Sequence, residues 1–92
     1  MKVVYTDEAR HDLDDILNYT AAHFPAAYRS FELGLRIVEL RIGQWPQSAQ
    51  QVAERPSVRV VPLIRYPYKI FYRVTAEAVE ILHIRHTARQ EP

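Results

Sequence analysis

The sequence contains no cysteine, only two glycines and no long apolar run. Without cysteine the chain can form no disulfide, no thiolate metal site and no cysteine nucleophile, and this composition fits a reducing compartment. The glycines do not form a phosphate-binding loop, and neither a Gly-x-Ser-x-Gly motif nor a zinc-binding motif is present. These absences argue against nucleotide hydrolysis, serine hydrolysis and zinc catalysis, and we expect no metal and no other cofactor.

The length and the N-terminus predict one small cytoplasmic domain. The 92 residues allow a single domain, residues 1–92, whose core is modest enough for a partner to add stability. The first residues, MKVVYTDEARHDL, hold no apolar run as long as a signal peptide or a membrane-spanning helix requires. We therefore expect a protein of the cytoplasm that has no contact with a membrane.

The charged residues are distributed unevenly along the chain. Residues 1–54 carry five basic and eight acidic side chains, whereas residues 55–92 carry seven basic and three acidic ones. A basic segment is typical of proteins that bind nucleic acid or an acidic partner. On charge alone, a solvated strand face explains the same pattern equally well, and both interpretations stay open at this point.

The first quarter of the sequence predicts a short strand followed by an amphipathic helix. KVVYT is β-branched and aromatic, and Thr6 is a suitable N-cap for a helix whose first turn holds Asp7 and Glu8. Apolar side chains then recur at helical spacing until Pro25 ends the helix. This first stripe consists of Ala9, Leu13, Ile16, Leu17 and Thr20.

A second amphipathic helix is predicted after Pro25, and its stop signal is Gly43 with the Gln-Trp-Pro that follows. Two helices joined around a proline most simply form an antiparallel hairpin. The core stripe of the second helix is Tyr28, Phe31, Leu35, Val38 and Ile42. Its total apolar surface exceeds what one sheet face can cover, which predicts a groove for a disordered or helical partner segment. The residues predicted to contact that segment are Tyr28, Leu33, Ile37 and Leu40.

The last third of the sequence predicts three strands. Residues 46–57 are polar and aperiodic and predict a loop, and strand-like runs follow at 58–63, 67–74 and 78–86. The complete prediction is an α+β fold of order β-α-α-β-β-β, a helical hairpin packed on a small, mainly antiparallel sheet. Its predicted core is Leu13, Ile16, Leu17, Phe31, Leu35, Val38, Ile70, Tyr72, Ile81 and Ile84.

Four segments, in the same order and spacing, resemble those of a known family. They are VVYTDEARHDLDDILNYTAAHFPAAYRSF, then WPQ after the second helix, YKIFYRV on a C-terminal strand, and VEILHIRHTAR at the end. Taken together they resemble the toxins of the RelE/ParE superfamily of bacterial type II toxin–antitoxin systems. No segment is specific alone, but four in order over nearly the whole chain form a strong signal.

The resemblance implies a small toxin that a cognate antitoxin, ParD-like or similar, neutralises. ParE-like members of this superfamily are associated with poisoning DNA gyrase, whereas RelE-like members cleave messenger RNA on the ribosome. The long first helix without a lysine-rich run and the HIRHTAR ending look closer to ParE. The preferred expectation is therefore a gyrase poison without a catalytic centre, and the alternative is a ribosome-dependent mRNA endonuclease.

The candidate site residues differ between these two expectations. Cleavage of RNA needs an acid, a base and cations around the scissile phosphate. For an endonuclease the resemblance implies Lys69, Arg73, His86 and Arg89, with His86 as acid or base. For a toxin that binds its target, the candidates are Arg65, Lys69, Arg85 and Arg89.

Several charged residues have structural explanations that compete with functional ones. Arg73 is placed to pair with Glu80 across a hairpin, and His83 is more often structural than functional in such a strand. The acidic cluster Asp12, Asp14 and Asp15 has no convincing metal spacing. We interpret this cluster either as a solvated helix face or as a contact for a basic antitoxin segment.

Overall fold

The computed structural model describes residues 1–88 and contains two α-helices and five β-strands in that range. A 3-10 turn, Pro25–Ala27, separates the two helices. The elements are β1 Lys2–Tyr5, α1 Asp7–His23, α2 Tyr28–Gln44, β2 Gln50–Val52, β3 Arg55–Pro62, β4 Tyr68–Val74 and β5 Ala78–His86. None of the helices in this range is long and apolar enough to cross a membrane.

The sheet is mixed and has the strand order β1-β5-β4-β3-β2. β1 pairs with β5 in parallel, and the other neighbours are antiparallel. The predicted α+β class and helical hairpin on a mainly antiparallel sheet are confirmed. The prediction of a continuous loop over 46–57 is wrong, because Gln50–Val52 pairs with β3. This strand is too short and polar to show an alternating pattern, and its backbone hydrogen bonds to β3 define it instead.

The start of α1 follows the sequence prediction. The Thr6 hydroxyl accepts a hydrogen bond from the backbone N–H of Ala9, and Asp7 and Glu8 occupy the first turn. Helix α2 includes Gly43 and ends at Gln44, within the predicted stop signal. A Cβ on Gly43 would lie 2.9 Å from the carbonyl oxygen of Met1, so glycine here permits close packing of α2 against the N-terminus.

The main core lies between the two helices and one face of the sheet. Seven of the ten predicted core residues are buried, whereas Leu13, Ile16 and Leu17 on α1 are half-buried and pack against the core edge. A second small cluster lies on the opposite sheet face around Phe71. It contains Val52, Val58 and Phe71, with Val60 and Leu82 beside them.

Two of the segments that carry the family resemblance are joined in the structure. The hydroxyl of Tyr72, in YKIFYRV, donates to the carbonyl oxygen of Pro46, in WPQ, at 2.8 Å. Burial raises the pKa of the Tyr72 phenol, which keeps it a donor. Arg59 also donates to the carbonyl oxygens of Gln47 and Ala49, at 3.2 and 2.7 Å. These bonds fix the connection between α2 and β2 against the sheet.

Candidate functional site

Two predicted site residues, Lys69 and Arg73, lie on the sheet face away from the helices. The Lys69 ammonium is 5.6 Å from the centroid of the Phe71 ring, within the range of a cation–π contact. Arg73 Nε donates to Glu80 Oε1 at 2.7 Å, which is the cross-strand pair expected from the sequence. Lys69 is thus half-exposed over an apolar cluster, and the charge of Arg73 is paired.

His86 lies on the other face of the sheet. It pairs in register with Tyr68, and the two rings make an edge-to-face contact with centroids 5.5 Å apart. Because side chains alternate along a strand, Tyr68 and Lys69 point to opposite faces. The structure therefore does not bring His86 together with Lys69 and Arg73. Arg89 lies outside the described residues.

Arg65 and Arg85 are in different environments. Arg65 is exposed in the turn between β3 and β4, directly after Ile64, whose side chain is 90% exposed. Arg85 is half-buried and donates from Nη1 to Asp12 Oδ1 at 2.8 Å. Among the predicted target-binding residues, Arg65 and Lys69 form no ion pair within residues 1–88, whereas Arg85 already has an acidic partner.

Asp12 accepts a backbone hydrogen bond from β5 at a position that β1 is too short to reach. The pairing of β1 with β5 ends at Tyr5 and Ile81, and Asp12 Oδ2 accepts the backbone N–H of Ile84 at 3.0 Å. Its other oxygen holds Arg85, and the interpretation of Asp12 as part of a solvated helix face is wrong. Asp14 and Asp15 are exposed, as that interpretation requires.

His83 belongs to the same hydrogen-bonded group at the edge of β5. Arg85 Nη2 lies 2.9 Å from His83 Nδ1, so the ring nitrogen is the acceptor of that contact. The opposite ring nitrogen, Nε2, is 3.5 Å from a carboxylate oxygen of Glu8. These contacts link α1 to β5, and they support the structural interpretation of His83.

A first groove, which we call the helix groove, runs between α1 and α2 and has a volume of about 520 Å³. Its aliphatic floor is Leu13, Leu17, Leu33 and Leu35. Its charged residues are two arginines and two glutamates, Arg29, Arg36, Glu32 and Glu39. The groove therefore combines an aliphatic floor with charges of both signs.

An exposed apolar stripe on α2 continues the helix groove outward. Leu33, Ile37 and Leu40 follow one another at steps of four and three residues and are 62%, 60% and 65% exposed. Tyr28, the fourth residue predicted to contact a partner, is half-buried at the start of α2 and is off this stripe.

Tyr5 restrains one of the charges in the helix groove. Its hydroxyl donates a hydrogen bond to Glu39 Oε2, which connects β1 to α2. Burial, with the hydrogen bond and the charge of Glu39, raises the pKa of Tyr5 far above its usual value. Glu39 is therefore engaged within the protein.

A second groove, which we call the aromatic groove, lies between α1, the 3-10 turn and the ends of β4 and β5. It has a volume of about 710 Å³, in the range of small-molecule and side-chain binding pockets. Six of its lining residues carry aromatic rings, namely Tyr19, Phe24, Phe31, Tyr66, Tyr68 and His86. Phe31 makes edge contacts with Tyr66 and Tyr68 at centroid distances of 5.6 and 5.7 Å.

The aromatic groove was not predicted from the sequence. Tyr19, Phe24 and Tyr66 were not candidate site residues, and the nearest sequence signal was Pro25, which ends α1 beside Phe24. The Tyr66 hydroxyl is hydrogen-bonded to the Ser30 hydroxyl, which fixes its ring against α2. Within residues 1–88, no group of three or more histidine, aspartate or glutamate side chains is arranged to hold a metal ion.

Solved structures with the same architecture define the class of this protein. A chain of the chromosomal ParDE toxin–antitoxin system from P. aeruginosa superposes with a TM-score of 0.78 at 26% identity, covering 94% of this chain and 95% of that chain. The YoeB/ParE toxin from Agrobacterium tumefaciens has the same fold, with a TM-score of 0.64 at 12% identity over 94% of this chain and 98% of that one. The chain thus has the fold of RelE/ParE superfamily toxins.

The sequence assigns the family within that superfamily. The family described as the ParE toxin of the type II toxin–antitoxin system parDE matches residues 3–91. This chain belongs to the ParE toxin family. Comparison with curated proteins gives no match. The predicted resemblance to the RelE/ParE superfamily, closer to ParE, is confirmed by the family match.

Proposed function

We propose that this toxin acts in the cytoplasm by binding DNA gyrase, that it has no catalytic centre of its own, and that a ParD-like antitoxin neutralises it. The observation that carries the proposal is the ParE family match over residues 3–91. The placement of the candidate catalytic residues agrees with it. Lys69 and Arg73 lie on one face of the sheet and His86 on the other, whereas an endonuclease site needs them around one phosphate.

The helix groove and the α2 stripe are the proposed docking site for the antitoxin. Leu33, Ile37 and Leu40 are exposed on rigid helix, and Leu33 also lines the groove. An amphipathic helix whose apolar residues recur at three- and four-residue steps matches this surface. Burial of the stripe in the complex would remove the three large exposed apolar side chains of α2 from water.

Arg65 and Lys69 are the proposed contacts with the target. Arg65 is exposed on the β3–β4 turn, and Lys69 is on the outer sheet face at the start of β4. Neither side chain has an ion pair within residues 1–88, so both charges are available to an acidic surface. Arg85, held by Asp12, contributes less under this proposal. Arg89 remains a candidate from the sequence alone.

A two-arm assay on one preparation tests the target. One arm measures gyrase supercoiling and the accumulation of cleavage complexes, and the other maps messenger cuts on translating ribosomes. We expect gyrase inhibition with intact messenger. The double variant Arg65→Gln, Lys69→Gln should weaken that inhibition, while Lys2→Gln, a cation at the start of β1 on the far edge of the sheet, should not.

The opposite pattern would favour the endonuclease. Messenger cuts in register with codons, lost in His86→Ala, together with unaffected gyrase would overturn the proposal. Folding of each variant is checked by circular dichroism, so that a loss of activity is not a loss of structure.

A further inference from the structure

The aromatic groove has an unusual charge for a chain with so many basic residues. The chain contains 12 lysine and arginine residues, yet within residues 1–88 none of them lines this groove. Two carboxylates, Asp12 and Asp15, line it instead. The groove is therefore an acidic, ring-lined site on a protein of net charge +1.

The two carboxylates are not equivalent. Both oxygens of Asp12 are engaged, one by Arg85 and one by the backbone N–H of Ile84. Asp15, one turn further along α1, is exposed and has no ion pair within residues 1–88. The charge of Asp15 is thus available to a group that enters the groove.

The walls of the groove suit a long side chain with an apolar stem. Tyr66, Phe31 and Tyr68 form a continuous wall of edge-to-face contacts. Tyr19 and Phe24, on the α1 side, are 52% and 59% exposed, so a large part of the aromatic surface faces solvent. Arginine and lysine lay their aliphatic stems along apolar surface and direct their charge to a ring face or a carboxylate.

We propose that the aromatic groove is a second docking site for the antitoxin and that it binds an arginine or lysine side chain together with a neighbouring bulky apolar side chain. This inference rests on the proposed antitoxin partner and adds the chemistry of one of its contacts. The stem of the basic residue packs on Tyr19 and Tyr66, and its cation pairs with Asp15. The apolar neighbour fills the rest of the groove and covers Phe24.

The proposal requires a particular charge pattern in the antitoxin. The segment that lies on the α2 stripe presents leucine-like side chains at helical spacing. A separate segment reaches the aromatic groove with a basic residue next to an apolar one. An antitoxin whose toxin-binding region contains no arginine or lysine beside a bulky apolar residue would contradict the proposal without any measurement.

A charge exchange tests the contact directly. The probe is the protein encoded beside the toxin gene, purified and titrated into the toxin by calorimetry. Asp15→Arg should weaken binding by about tenfold or more, because it places a cation against a cation. The matched control is Asp14→Arg, an exposed residue of the same helix that does not line the groove, and it should stay within about twofold. One arginine- or lysine-to-aspartate change in the antitoxin should restore binding to Asp15→Arg only.

The remaining outcomes separate this inference from the proposed partner. One outcome is that Asp15→Arg and Tyr19→Ser each bind the antitoxin normally, while the double variant Leu33→Asp, Ile37→Asp does not bind it. This outcome would overturn the aromatic-groove contact and keep the antitoxin as the partner. No binding by the wild-type toxin would overturn both. Sedimentation of the toxin alone is the last arm, since a dimer that Asp15→Arg dissociates would assign the groove to a second copy of this chain and reject the proposal.

Discussion

The helix groove and the aromatic groove are lined by different residues of α1 and differ in both lining and charge. The helix groove has a floor of four leucines and charges of both signs, one of which, Glu39, is held by Tyr5. The aromatic groove has six rings and two carboxylates, and no lysine or arginine from residues 1–88 lines it. Leucines select by shape and apolar area, whereas rings beside a free carboxylate select for a cation. Under the two docking proposals, one antitoxin would meet two different chemical requirements on this small toxin.

Phe31 lines the aromatic groove and belongs to the main core, and its removal has the largest expected effect. It is 1% exposed, belongs to α2 and forms the central ring of the aromatic wall. Phe31→Ala should lower the free energy of unfolding by about 3–5 kcal/mol, because it leaves a cavity in the main core beside the aromatic groove. Urea unfolding measures the loss.

Leu33→Ala is the matched control for Phe31→Ala on the same helix. Leu33 is 62% exposed, so its truncation should change the free energy of unfolding by about 0.5 kcal/mol or less. Equal losses in the two variants would mean that α2 does not separate a core face from a partner face, and the comparison of the grooves would fail.

The second largest difference in unfolding free energy is expected between variants of the two aspartates of the aromatic groove. Asp12→Ala should cost about 2–3 kcal/mol of unfolding free energy, because it leaves the Ile84 N–H without its acceptor and Arg85 without its carboxylate. Asp15→Ala should cost about 0.5 kcal/mol or less, because Asp15 is exposed. Faster hydrogen exchange of the Ile84 amide in Asp12→Ala alone would locate the damage, and similar losses in both variants would show that Asp15 is also structural.

These contrasts show which parts of the molecule could be read from the sequence. The α2 stripe was predictable, because Leu33, Ile37 and Leu40 lie on one helix and their spacing alone places them together. The predicted core also contained Ile70 and Tyr72 of YKIFYRV, which the structure buries in the main core, whereas Phe71 between them lies in the cluster on the opposite sheet face.

The aromatic groove could not be predicted in the same way. Its rings come from α1 and the residue that follows it, from α2, from the β3–β4 connection, and from β4 and β5, and no period within one element relates Tyr19 to Tyr66. The role of Asp12 was hidden for a similar reason. The unpaired N–H of Ile84 exists only because β1 ends opposite Ile81, which is a property of strand pairing over long sequence separation.

The variant Tyr5→Phe tests whether the Tyr5 hydroxyl holds the Glu39 carboxylate of the helix groove. Tyr5→Phe removes the donor to Glu39 and should cost about 1–2 kcal/mol of unfolding free energy near neutral pH. The substitution should also change how the free energy of unfolding depends on pH in the alkaline range. Burial, followed by Glu39, raises the Tyr5 pKa above its ordinary value of 10.0, so the unfolded chain loses this proton first as the pH rises.

The sign of the alkaline effect follows from this order of ionisation. The stabilisation by protonated Tyr5 is complete below the ordinary tyrosine pKa and decreases above it, because the folded state then binds more protons than the unfolded state. Between about pH 9 and about pH 11 the wild type should lose more stability than Tyr5→Phe. Parallel stability curves for the two proteins would show that the Tyr5 hydroxyl is not held by Glu39.

The smallest expected effect is the response of antitoxin binding to salt, and it distinguishes the two grooves most directly. An exposed ion pair contributes about 0.2–1 kcal/mol and is screened as ionic strength rises, whereas burial of leucine is not weakened by salt. The wild-type affinity should therefore fall a few-fold between about 0.05 M and about 0.5 M salt. Asp15→Asn should bind more weakly at low salt and show a flatter dependence. Leu33→Ala should bind more weakly at both concentrations and keep the wild-type slope. The opposite result would be a wild-type dependence of affinity on salt in Asp15→Asn and a flatter one in Leu33→Ala. In that case the cation-binding site lies in the helix groove and the assignment of the two surfaces is reversed.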